Sequence, residues 1–105
     1  MNENQPISEQ FRVVAKAWVD ADAAANMLEE TKTAALSQKM LALGDMPVSR
    51  AEMTVKASDE WALYLTGMVN ARSRANLLKV KMEYLRMRFQ EQSSAEASRR
   101  AEMRL

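Results

Sequence analysis

The chain has 105 residues, 48% hydrophobic and 28% charged, with a net charge of +1, which is enough for one small domain and too apolar for intrinsic disorder. Two glycines and two prolines leave too little turn material for an all-β or α/β fold, in which breakers recur about every ten residues. The absence of cysteine and histidine excludes disulfides, thiolate nucleophiles, imidazole bases and soft zinc sites.

An all-α chain rich in Ala, Glu, Lys, Leu and Arg is therefore expected. No apolar run approaches the ~20 residues of a membrane span, and the start MNENQPISEQ lacks the charged-then-apolar pattern of a signal peptide. The expectation is a cytoplasmic protein with no membrane association.

Residues 1–7 are polar and read as a flexible start. A first helix can begin with Ser8 as N-cap, or one turn earlier with Pro6 at the first helical position. It then runs without a breaker to Leu43, giving a helix over 8–43 about 54 Å long. Gly44 suits a left-handed C-cap and Pro47 forbids continuation. The connection over 44–57 holds a predicted short helix, because Ser49-Arg50-Ala51-Glu52 reads as a capping box and Val48 with Met53 as a hydrophobic staple. Ser58, followed by Asp59 and Glu60, reads as the N-terminus of the next helix. That second long helix is predicted over 58–92, with a break or fraying at Ser93 and Ser94 and a helix-prone tail over 93–105.

In the second long helix Trp61, Tyr64, Met68, Ala71, Ala75, Leu78, Met82, Leu85 and Phe89 alternate spacings of three and four, a coiled-coil seam. The first carries Phe11, Val14, Trp18, Ala21, Ala25, Leu28, Ala35 and Ala42 on the same spacing, interrupted by Lys32 and Lys39. If the chain doubles back, Ala42 faces Trp61, Ala35 faces Met68, Leu28 faces Ala75, Trp18 faces Leu85 and Val14 faces Phe89, so small residues mostly meet large ones. Asp22 and Glu29 then lie beside Lys79 and Arg72, pairs worth about 0.5 kcal/mol each when exposed. The lysines of the seam are expected to turn their ammonium groups to water. The predicted fold is a long antiparallel helical hairpin, coiled-coil-like, with a short connecting helix. The alternative is two helices joined in an intermolecular bundle.

Two surfaces are left over. Leu63, Leu77, Val80, Tyr84 and Met87 lie opposite the second seam, and Val13, Val19, Met27, Leu36, Met40 and Leu41 lie off the first. This apolar surface needs another home: homodimerisation into a four-helix bundle, or a face that receives an unidentified protein partner. The charge is also uneven, since residues 1–48 hold four Lys/Arg against seven acids and residues 49–105 eleven against seven. Arg72, Arg74, Lys81, Arg86 and Arg88 form a candidate anion face, with nucleic acid as the candidate ligand. No nucleic-acid reading motif accompanies them.

No catalytic, cofactor or metal residues are expected. Asp20 with Asp22, and Glu29 with Glu30, miss the spacing of three or four that aligns carboxylates on a helix face, and no histidine completes a Glu-x-x-His motif. Gly67, isolated in a helix, suggests a close helix approach.

Through LEETKTAALSQKMLALGDMPVSRAEMTVKASDEW and ANLLKVKMEYLRMRFQE the chain resembles a group of small helical proteins encoded by bacteriophages and prophages of proteobacteria. The resemblance covers most of the chain and transfers no site residue. The spare apolar face of a helical bundle points to a noncatalytic accessory or adaptor working through protein contacts, and the resemblance implies a phage or prophage context for it. Alternatively it implies a nonspecific nucleic-acid-binding accessory in recombination or replication, or an inhibitor of a host defence complex of the anti-CRISPR kind.

Overall fold

The computed structural model describes residues 4–104. Among them are four helices and no strand: α1 (Ile7–Glu30), α2 (Lys32–Leu41), α3 (Val48–Lys56) and α4 (Asp59–Arg104). The chain divides into two compact units, one formed by Met1–Asp20 with Ala75–Leu105 and the other by Ala21–Arg74.

In the first unit α1 and α4 run antiparallel. Val14, Met82 and Leu85 form its buried core, with Phe11, Ala15, Trp18 and Leu78 packed against them. Ile7 is buried as well, so the loose start expected for residues 1–7 ends before it; residues 1–3 of that stretch lie outside the described residues. In the second unit the rest of α1 meets the start of α4 through Leu28 with Tyr64 and Glu29 with Arg72, α2 meets it through Lys39 with Glu60, and α3 packs on α2. Ala25, Ala51, Val55 and Trp61 are buried there. Trp61 and Tyr64 stack with ring centroids 5.1 Å apart.

The predicted heptad stripes are the buried stripes. Trp61, Ala75, Met82 and Leu85 are buried, and Tyr64, Met68, Ala71 and Leu78 half-buried. Opposite, Val14 and Ala25 are buried, and Phe11, Trp18, Ala21, Leu28 and Ala35 half-buried. The antiparallel helical hairpin follows from this alternation, because a two-helix seam removes one stripe per helix from water.

The pairing along the stripes differs from expectation by roughly one helical turn. Val14 clusters with Met82 and Leu85 rather than with Phe89, which is 52% exposed. Lys39 pairs with Glu60 instead of turning to water. A stripe of alternating threes and fours fits nearly as well after such a slide, so polar contacts decide the register. The Tyr64 hydroxyl donates to the Leu28 carbonyl at 2.8 Å, in the last turn of α1 where carbonyls lack helical partners. Arg72 reaches Glu29 at 2.8 Å as expected, but also takes Asp22 at 2.7 Å, the acid assigned to Lys79. Guanidinium presents several donors in a planar fork, which an ammonium cannot match.

Helix boundaries depart from the sequence reading at several points. The first long helix is interrupted at Thr31, whose φ and ψ are −92° and 2°. The Thr31 hydroxyl donates to the Met27 carbonyl at 2.7 Å, alongside the Thr31 amide at 3.0 Å, the back-bonding by which Ser and Thr bend helices. At the start, Ser8 is not the cap: Pro6 presents its carbonyl to the amides of Glu9 and Gln10. Gly44 has φ +88°, the left-handed conformation predicted for it.

The Ser49 capping box does not form. Pro47 holds the N-cap position of α3 with its carbonyl accepting from the Ala51 amide at 2.9 Å. Because α3 starts one residue early, Val48 sits inside the helix rather than before it, and both Val48 and Met53 are exposed. Ser58 does cap α4, its Oγ accepting from the Trp61 amide at 3.1 Å. The expected stop at Ser93 and Ser94 is absent, for α4 continues to Arg104. Neither glycine nor proline interrupts that stretch, and Glu96 lies one turn before Arg100, 3.7 Å away. Gly67 serves no close approach, since a Cβ built on it meets nothing within 4 Å.

Candidate interaction surfaces

A helix in a two-helix hairpin hides one stripe, and what lies on its other side stays in water unless something else covers it. In the first unit Leu77, Val80, Tyr84 and Met87 follow one another on α4 at spacings of three, four and three, and each is more than half exposed. Leu63, in the second unit, is 73% exposed. Every residue of the predicted apolar face is therefore in solvent. On α1, Val13, Val19 and Met27 are exposed, as is Leu41 on α2, whereas Leu36 and Met40 are half-buried.

Sequence reasoning missed the exposure of Val48 and Met53 on α3, near the connection from Leu41 at the end of α2. Leu41, Val48 and Met53 are each more than 70% exposed there. Leu41 and Val48 line a shallow groove of about 280 Å³ with Met40, Gly44, Met46 and Ala51, whereas Met53 lies with Ser49, Glu52 and Lys56. The misread cap is the cause, because a staple would have turned Val48 and Met53 toward each other. Val69, 58% exposed, was also missed, as it belongs to neither heptad series.

The predicted anion face is divided by the structure. Arg72 leaves it: besides Asp22 and Glu29, its guanidinium donates to the Asn26 side-chain carbonyl at 2.6 Å. These hydrogen bonds hold the Glu29 carboxyl below the usual carboxylate range and push Arg72 above the usual arginine value. Arg86 lies over the Phe11 ring at 5.8 Å and Arg88 over Tyr84 at 6.0 Å, contacts that leave their charges accessible. Arg74 and Lys81 are exposed and have no ionic partner among the described residues, and the same holds for Lys79.

Lys81, Tyr84 and Arg88 also border a groove of about 780 Å³ at the start of α1, with Gln5, Ile7 and Gln10 on its other side. Gln10 is buried, and its side-chain amide donates to the Gln5 carbonyl at 2.8 Å, which ties the approach to α1 down. Among the described residues no three His, Cys, Asp or Glu side chains gather as a metal site requires. No described helix is long and apolar enough to cross a membrane.

Comparison with protein families, with curated proteins and with solved structures yields no match for the chain.

Proposed function

We propose that the chain is a noncatalytic helical interaction protein, a phage or prophage accessory or adaptor in the cytoplasm of a bacterial host. It works as a homodimer whose α4 outer faces meet to form a four-helix bundle. The observation that carries this reading is the exposed stripe Leu77, Val80, Tyr84 and Met87. Large side chains at heptad spacing, in contact with water along a continuous helix, are what a partner helix buries. The resemblance to phage-encoded proteins supports an accessory role.

A second reading, nonspecific nucleic-acid binding, is favoured by the exposed Arg74 and Lys81, which lack ionic partners among the described residues, with Arg88 one heptad further along α4. Two measurements test them separately. Light scattering on the full chain at micromolar concentration is expected to give a dimer, and Leu77→Glu with Tyr84→Glu a monomer of unchanged helicity. A monomeric wild type, or a mutant that stays dimeric, rejects the face. On the second reading, a labelled oligonucleotide binds at low salt and releases as salt rises, with log K falling about 0.9 per phosphate neutralised per decade. No anisotropy change at low salt rejects it.

A further inference from the structure

We propose that residues 80–104 of α4 form the dimerisation element, pairing antiparallel with the same segment of a second copy. This deepens the dimer reading and rests on it, narrowing the contact to the end of α4 so that Val80, Tyr84 and Met87 of the exposed stripe lie within it and Leu77 just outside. From Arg86 to Arg104 every residue is exposed, and the groove at the start of α1 reaches along α4 as far as Gln92. The remaining helix has no described neighbour, so it lacks the tertiary packing of an apolar face from which most helices in proteins draw their stability.

The heptad stripe on the outer face continues through this segment. After Val80, Tyr84 and Met87 come Glu91, Ser94, Ser98 and Ala101, still at alternating spacings of four and three. Its first part is large and its last part small. Two copies running in opposite directions set Tyr84 against Ala101 and Met87 against Ser98, so the two largest side chains of the stripe find room. Two parallel copies instead set Glu91 against Glu91 and each small residue against its own copy, combining like charge with voids.

Charge selects the same arrangement. In the antiparallel register Lys81 flanks Glu102 of the second copy and Glu83 flanks its Arg104, each pair occurring twice by symmetry. None of these four side chains has an ionic partner among the described residues of its own chain. Glu91 meets Ser94, and no like charges face each other. Sliding one heptad toward the hairpin sets Arg88 against Arg88, which opposes that register.

The chain has no cysteine, so single-cysteine variants of the full protein report the geometry. Met87→Cys and Ser98→Cys are mixed under mild oxidation. The mixture is expected to give the linked heterodimer, with self-linked Ser98→Cys a minor product. In the proposed register two copies of position 98 lie about 16 Å apart along the axis, beyond the ~7 Å reach of a disulfide. Lys81→Glu is expected to lose the dimer and Lys81→Glu with Glu102→Lys to regain it. A dimer that links Ser98→Cys to itself, or links neither way, overturns the register and leaves the dimer reading standing. A monomeric mass throughout overturns both.

Discussion

Arg72 shows how much one side chain can settle in a hairpin this thin. The sequence assigned it both to a cross-helix pair and to an anion-binding row, and the structure gives it to Asp22, Asn26 and Glu29 together. Its consequence for stability is a pH dependence of known sign. Glu29 is held below the ordinary carboxylate value of 4.5 by the Arg72 hydrogen bonds, so the unfolded chain takes up its proton first. The contribution is complete above the ordinary value and is lost as pH falls through the depressed one. Thermal melts are expected to show a falling midpoint as pH drops below about 4.5, and Glu29→Gln to flatten that fall; an unchanged slope in the variant contradicts the assignment. Gly67 gives a prediction of opposite direction. It is exposed, helical and without neighbours to a Cβ, so Gly67→Ala is expected to stabilise by about 1 kcal/mol in chemical denaturation. A loss of stability would reveal a contact at that face.

At the scale of elements, the long periodic segments were legible and their ends only partly so. Gly44 and Ser58 did what their chemistry suggests, one taking φ +88° and the other capping α4. Ser49 did not, although it carries the sequence signature of a cap. Proline two residues earlier already has its φ near the required value, and its carbonyl can receive the first helical amide. The two serines therefore differ in a measurable way. Ser58→Ala is expected to cost about 1 kcal/mol, the usual loss of a side-chain cap, while Ser49→Ala is expected to leave the denaturation midpoint nearly unchanged. Equal losses at both sites contradict the assigned caps. The break at Thr31 has no signature in the sequence: threonine is common in helices, and Thr54 makes the same hydroxyl-to-carbonyl bond inside α3 without interrupting it.

For the molecule as a whole, periodicity alone determined that the chain is helical and which stripe of each helix is buried. Those follow from local geometry, since a repeat of 3.5 residues places one set of side chains on one side whatever the surroundings. Periodicity also exposed Leu77, Val80, Tyr84 and Met87 as surplus to a two-helix seam, which is where the proposed function begins. The doubling back of one chain in place of an intermolecular bundle, the register, the partners of Arg72 and the exposure of Val48 and Met53 were decided only in three dimensions. A heptad stripe is close to invariant under a slide of one turn, so long-range polar contacts such as Tyr64 with Leu28 and Arg72 with Asp22 select among alignments that the apolar pattern leaves nearly equal.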